Sequence, residues 1–95
     1  MKRPAVYIMA SRRNGILYTG AASDLIKRVA QHRESLLPGF TARYGCKLLV
    51  WYEWYEHMID AIEREKQIKS GSRQKKLALI ETANPAWRDL YGDLL

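Results

Sequence analysis

The fold of this protein is decided by residues 5–20, which read AVYIMASRRNGILYTG. Two apolar runs, at residues 6–10 and 16–20, flank Asn14-Gly15, a pair that is typical of the tight turn of a β-hairpin. If these two residues form the turn, Arg13 faces Ile16 and Ser11 faces Tyr18. Because side chains alternate along a strand, the pattern predicts two groups on opposite faces of the hairpin. One face holds Val6, Ile8, Ala10 and Leu17, and the other holds Tyr7, Met9 and Tyr18.

A helix is predicted to follow the hairpin. Ser23 or Asp24 provides its N-cap, and the helix runs to about residue 36, before Pro38-Gly39. Residues 48–55 are rich in β-branched and aromatic side chains, which predicts a third strand. The apolar stripe of the helix consists of Leu25, Val29 and Leu36, with Ile26 on one edge.

Two more helices are predicted in the second half of the chain. The first spans residues 58–70 and ends at Gly71, and Ser72 caps the second, which runs to about residue 81. Asn84-Pro85 then opens a short final turn, from which Trp87 and Leu90 pack back. The order β-β-α-β-α-α predicts an α+β fold, in which a small three-stranded antiparallel or mixed sheet is flanked by helices. We expect one domain over residues 1–95.

The charge of the chain favours a nucleic-acid partner. The 95 residues carry a formal charge of +6, and residues 1–50 hold nine basic side chains against two acidic ones. Such an excess attracts polyanions. No apolar run approaches the roughly 20 residues that a membrane span requires, so no membrane partner is expected. The single cysteine, Cys46, forms no internal disulfide and fits a reducing, cytoplasmic compartment.

Several classes of site are excluded by residue type and spacing. One cysteine and two histidines do not supply the four ligands of a structural zinc site. The chain has no glycine-rich loop of the kind that binds phosphates, and no pattern of a serine or cysteine hydrolase.

Glu65 is the most informative residue of the helix predicted over residues 58–70. It falls in the middle of an apolar stripe, whereas Glu63 points to solvent. A carboxylate on a core-facing stripe is costly to bury unless it is paired or binds a cation. Two interpretations therefore stand, a salt bridge such as one with Arg28, or a metal ligand. The stripe consists of Met58, Ala61, Ile62 and Ile68.

The first helix carries a second candidate pair. Arg28 and His32 are four residues apart, so they lie on one face of the helix, where they suit an anionic ligand such as a phosphate. Both are equally compatible with the surface of a basic helix. Basic residues on the hairpin and the helices form a candidate surface for a phosphate backbone. They are Arg12, Arg13, Lys27, Lys69, Arg73, Lys75 and Lys76.

Together, these residues resemble the GIY-YIG nuclease domain over nearly the whole chain. Ala5-Val6-Tyr7 corresponds to G-I-Y and Tyr18-Thr19-Gly20 to Y-I-G, with Ala5 and Thr19 as departures from the signature. Asp24-Leu25 and Arg28 match the stretch that follows in the family, and His32 lies where many members carry histidine. Residues 64–69 resemble the helix with the metal-binding glutamate. The C-terminal part is similar to a small stand-alone subgroup of endonucleases.

The resemblance implies a divalent-metal-dependent endonuclease that hydrolyses DNA phosphodiester bonds, with DNA repair or recombination as its context. It implies that Glu65 holds one Mg²⁺ or Mn²⁺ ion and that Arg28 binds the scissile phosphate. Tyr18 would orient or deprotonate the attacking water with help from Tyr7, and His32 would support the phosphate or relay the proton. Asn84 corresponds to a late asparagine of the family, or serves as a helix cap before Pro85.

Two other functions remain open at this point. One is a catalytically inactive nucleic-acid-binding module with the same fold, and the other is a protein-interaction domain. DNA is the expected partner, with RNA as an open alternative because phosphate contacts do not separate the two. No residue indicates an oligomeric state.

Overall fold

The computed structural model describes residues 3–95 and has a three-stranded sheet between two layers of helices. The strand order is β2-β1-β3 and both pairings are antiparallel, so the predicted α+β fold is confirmed. The short helices α2 and α5 add to the predicted order. The strands are β1 (Ala5–Ala10), β2 (Leu17–Ala22) and β3 (Leu48–Trp54). The helices are α1 (Leu25–Arg33), α2 (Phe40–Tyr44), α3 (Met58–Ser70), α4 (Arg73–Ala83) and α5 (Tyr91–Leu94).

The hairpin turn lies one residue earlier than the sequence predicts. The N–H of Gly15 donates to the carbonyl of Arg12 (2.9 Å), so the central residues are Arg13 and Asn14. Asn14 takes the positive φ (57°) that this residue type tolerates. Tyr18 consequently pairs with Met9, and the prediction that it faces Ser11 is wrong. Because each partner moves by two positions, every side chain keeps its face.

The two faces of the sheet carry the predicted sets of side chains. Val6, Ile8 and Ala10 pack with α3 and α4 in one core cluster. Tyr7 and Met9 lie on the other face, in a second cluster that includes α1 and the C-terminal segment. All six residues of β1 are buried, since this central strand is covered on both sides.

Helix α1 ends earlier than predicted. Asp24 caps its N-terminus by accepting from the N–H of Lys27, as expected. At the other end Ser35 has φ of 56°, and the N–H of Leu36 donates to the carbonyl of Gln31 (2.9 Å). The left-handed residue and this hydrogen bond are features of a Schellman motif, which turns the chain away from the helix axis. Leu36 is therefore 63% exposed, and its predicted place in the apolar stripe is wrong.

The predicted helices of the second half are confirmed with small changes. Helix α3 ends before Gly71 as predicted, and the hydroxyl of Ser72 accepts from the N–H of Lys75 to cap α4. Ile62 was placed on the apolar stripe but is 37% exposed, so that prediction is wrong. Trp87 is buried against the α3–α4 face. Within residues 3–95, no helix is long and apolar enough to span a bilayer.

Candidate active site

The site forms where Tyr7 of β1 reaches across β2. In the sheet register Tyr7 lies directly opposite Gly20, and its side chain is fully buried. A Cβ at position 20 would lie 2.6 Å from the Tyr7 hydroxyl and 2.7 Å from Cζ. The phenol therefore occupies the space that any other side chain would take. Gly20 allows Tyr7 to present its hydroxyl at the β2 edge of the sheet.

A chain of buried hydrogen bonds links Tyr7 to helix α2. The Tyr7 hydroxyl lies 2.8 Å from His32 Nε2, and His32 Nδ1 lies 2.8 Å from Thr41 Oγ1. His32 is 3% exposed and takes the third position of the α1 stripe, where Leu36 was predicted. In a neutral imidazole one nitrogen donates and the other accepts, so the three groups form a continuous path for a proton.

His32 is neutral near pH 7. Burial is the main cause that lowers its pKa from 6.5 to about 4, and the nearby Arg28 guanidinium lowers it further. Both ring nitrogens are engaged with Tyr7 and Thr41. The geometry therefore fits the predicted proton relay and leaves no ring N–H directed at a phosphate.

Two more of the predicted residues, Arg28 and Glu65, act electrostatically on Tyr7. Burial raises the pKa of the Tyr7 phenol far above its usual value, and Tyr18 raises it further. The guanidinium of Arg28 acts on this pKa in the lowering direction, and the carboxylate of Glu65 acts in the raising direction. Arg28 on α1 and Glu65 on α3 are thus both close enough to act on the charge of the phenol, although they belong to helices that pack on opposite faces of the sheet.

Tyr18 lies between this buried chain and solvent. Its ring centroid is 5.4 Å from that of His32 and 6.3 Å from that of Tyr7. It lines an open groove of about 260 Å³ that runs along the outer side of β2. The remaining residues of the groove are Leu17, Thr19, Phe40, Lys69 and Lys76.

Glu65 forms the ion pair that its position on the stripe required, with a different partner from the one named. Its carboxylate lies 2.8 Å from Lys69 Nζ, one turn along α3, and not beside Arg28, the partner given as an example. The Glu65 side chain is 19% exposed, and its partner Lys69 lines the groove. Residues 3–95 contain no cluster of three or more potential metal ligands among His, Cys, Asp and Glu. A single carboxylate oxygen fits Mg²⁺, which keeps several waters and completes its shell with substrate phosphates.

The predicted phosphate-binding residues are spread over different surfaces. Lys69 and Lys76 line the groove beside Tyr18, and Lys75 lines the cleft between α3 and α4. Lys27 joins Arg28 in a polar depression on α1. Arg12 and Arg13 are exposed on the hairpin turn.

Arg73 and Asn84 have structural partners. The Arg73 guanidinium donates to the carbonyls of Asn14 (3.0 Å) and Gly15 (2.7 Å), which ties α4 to the hairpin. The Asn84 amide donates to the carbonyls of Val50 and Arg88, and its oxygen accepts from the N–H of Arg88. Asn84 thus holds the C-terminal segment against β3, and its hydrogen bonds do not reach the Tyr7 cluster.

Sequence reasoning missed two residues next to the site. Thr41 and Phe40 belong to α2, a five-residue helix between two glycines, for which no element is predicted from the sequence. No periodicity marks so short an element, and a threonine forms local hydrogen bonds in many settings. The signal that would have found them is the proximity of His32, which becomes visible only once α1 is placed.

Comparison with known proteins identifies the family of this chain. The GIY-YIG catalytic domain family matches residues 3–78. A UPF0213 protein of Staphylococcus saprophyticus is 38% identical over 80 residues, which cover 84% of this chain and 96% of the relative. A UPF0213 protein of Staphylococcus aureus is 41% identical over 76 residues, covering 80% and 92%.

A solved structure shows the same fold. The solution NMR structure of a UPF0213 protein of Bacillus halodurans aligns with a TM-score of 0.57 and 25% identity, over 92% of each chain. The family match covers the hairpin, α1 and α3, which carry the tyrosines, Arg28, His32 and Glu65. The chain therefore belongs to the GIY-YIG family of nuclease domains.

Proposed function

We propose that this protein is a divalent-metal-dependent endonuclease that hydrolyses DNA phosphodiester bonds. The observation that supports it best is the convergence of two tyrosines, a neutral histidine, an arginine and a carboxylate at one edge of the sheet. These groups come from four different elements, and a purely structural role would not require all of them at one edge of the sheet. They are Tyr7, Tyr18, His32, Arg28 and Glu65.

Arg28 binds the scissile phosphate. Within residues 3–95, no carboxylate lies within ion-pair distance of its guanidinium, which is half-buried beside the phenol of Tyr7. A half-buried guanidinium without a counter-charge is well suited to an anion that arrives with the substrate. In the transition state it stabilises the additional negative charge on the phosphate oxygens.

Glu65 holds the metal ion, with Mg²⁺ or Mn²⁺ as the expected cation. When bound, the cation neutralises charge on the phosphate and on the leaving 3′-oxygen. Lys69 is bonded to Oε2 of this carboxylate, so Oε1 is left for the cation. The Lys69 ammonium lines the groove beside Tyr18, where it is placed to contact a backbone phosphate.

The tyrosines and His32 position the attacking water and accept its proton. Tyr18 faces the groove and orients the water, whereas Tyr7 is fully buried and passes a proton on to His32. Burial, and to a smaller extent the charge of Arg28, keep the pKa of His32 low in the free protein. A phosphate that pairs with Arg28 offsets that charge, so substrate binding makes the imidazole a better proton acceptor. The water oxygen then bonds to phosphorus as the bond to the 3′-oxygen breaks. The proton lost by the water passes through the Tyr7 hydroxyl to His32, and the leaving 3′-oxygen takes up a proton from solvent.

Cleavage of labelled DNA tests the proposal. Wild type is incubated with Mg²⁺ or Mn²⁺ beside Glu65→Gln and Tyr18→Phe, and Glu63→Gln is the matched control. Glu63 lies on the same helix but is exposed, so its variant should cut like wild type. We expect loss of cleavage in the first two variants and in EDTA.

The other outcomes identify the alternatives. Cleavage that survives Glu65→Gln would refute the metal assignment. If wild type binds DNA in a salt-dependent way without cutting it in any metal, the inactive binding module is correct and the proposed function is wrong.

A further inference from the structure

Two exposed aromatic rings on α2 have no role in the chemistry described above. Phe40 is 45% exposed and Tyr44 is 41% exposed, one helical turn apart. Their ring centroids are 4.7 Å apart, so they form a continuous aromatic surface, which we call the aromatic shelf. The buried residue of the same helix is Thr41, which holds His32. Helix α2 therefore anchors in the site on one side and presents aromatic rings to solvent on the other.

The aromatic shelf continues the groove of the active site. The Phe40 ring centroid is 6.0 Å from that of Tyr18, and Phe40 lines the groove together with Lys69 and Lys76. The Arg43 guanidinium lies 5.5 Å from the centre of the Tyr44 ring. Helix α2 has no acidic residue. Aromatic faces interleaved with positive charge, beside a phosphate site, complement a single nucleic-acid strand.

We propose that the aromatic shelf stacks on an unpaired base of the DNA strand whose phosphate is cleaved, so that single-stranded or unpaired DNA is the preferred substrate class. This inference rests on the proposed function. In a continuous duplex each base is stacked between its neighbours, and its faces are not available to a side chain. A base that has left the stack exposes its face, and Phe40 presents an exposed ring in the same groove as Lys69 and Tyr18.

Binding by a non-cleaving protein tests the stacking directly. Glu65→Gln protein in EDTA is titrated with a single-stranded oligonucleotide that carries 2-aminopurine, and with a blunt duplex of the same sequence. Phe40→Leu keeps apolar bulk but removes the aromatic face, whereas Phe40→Trp keeps the face. Ile59→Ala, which removes an exposed apolar side chain from α3 (66% exposed, against 45% for Phe40), is the control.

We expect Phe40→Leu to weaken single-strand binding about tenfold, which is within the range that one stacked base contributes. The quenching of 2-aminopurine by the protein should fall in the same variant. Phe40→Trp should keep both effects, Ile59→Ala should match the parent, and duplex affinity should not change in any of them. Thermal unfolding of each variant verifies that the fold is intact.

Two results would overturn the inference. The first is equal single-strand affinity and quenching in Phe40→Leu and the parent, and the second is an equal loss for single-stranded and duplex DNA. Because this binding assay does not depend on cleavage, it separates the inference from the proposed function. A protein that stacks a base without cutting DNA would support the shelf and refute the nuclease.

Discussion

Replacing Gly20 by alanine should disrupt the site from the opposite strand, without touching any reacting group. The added methyl group would lie 2.6 Å from the Tyr7 hydroxyl, whereas ordinary contact begins at 3.4 Å. The phenol must therefore retreat by about 0.8 Å from a position where it is fully buried and 2.8 Å from His32. Overpacking of this kind costs about 1–3 kcal/mol, and a weakened buried hydrogen bond adds about 1 kcal/mol.

We expect the free energy of unfolding to fall by roughly 2–4 kcal/mol in Gly20→Ala. For a domain of this size that lowers Tm by roughly 10–25 °C. Urea unfolding measures the change, and the m-value should stay constant if only the native state is affected. Cleavage should fall by about a hundredfold, because a displacement near 1 Å misaligns the reacting groups.

Two matched variants isolate the cause. Gly92→Ala has no atom within 4 Å of the new methyl group and should leave stability within about 0.5 kcal/mol of wild type. Tyr7→Leu removes the ring, so adding Gly20→Ala to it should cost nothing or stabilise slightly, since alanine restricts the unfolded chain. An equal cost of Gly20→Ala in both backgrounds would refute the argument that the phenol occupies this space.

Further predictions concern the buried hydrogen-bond chain. Thr41→Val keeps the side-chain shape but leaves His32 Nδ1 without its partner, so we expect a loss of about 1–3 kcal/mol in urea unfolding, with Thr41→Ser close to wild type; equal stability of the valine and serine variants would contradict the assignment. The low pKa of His32 predicts that stability is fully present above pH 6.5 and decreases by roughly 3 kcal/mol as the pH falls to about 4, because there the unfolded chain binds a proton that the folded chain does not. Urea unfolding between pH 4 and 7 should therefore show a shallower pH dependence in His32→Gln, and identical slopes would refute this origin.

Local interactions made much of the fold predictable. Strand alternation assigned Tyr7 and Tyr18 to one face, and this survived the shifted turn because the partners moved by two positions. The caps at Asp24 and Ser72 act on N–H groups three residues away, so a short window of sequence contains all the information they need. Helix α1 ends earlier than predicted because Ser35 adopts a left-handed conformation, which cannot be predicted from a serine at this position.

The candidate site, too, was predictable only in part from the sequence. The identities of Tyr7, Tyr18, Arg28, His32 and Glu65, and their order along the chain, were sufficient to suggest phosphodiester chemistry through the family resemblance. Whether these residues come together depends on the tertiary structure. The two hydrogen bonds of the buried chain, for example, join residues that are 25 and 9 positions apart. Composition likewise located positive charge but did not reveal that Arg73 is engaged with the hairpin.

The sequence by itself determined the strands, most helix bounds and the chemical groups available, because those follow from side-chain periodicity and from hydrogen bonds within one turn. Only the tertiary structure decided that Glu65 pairs with Lys69, that Thr41 holds His32, and that Phe40 lies beside Tyr18. Most of these partners belong to different elements, so their meeting depends on how the helices pack on the sheet. The Glu65 pair is the local exception, since Lys69 lies one turn along the same helix.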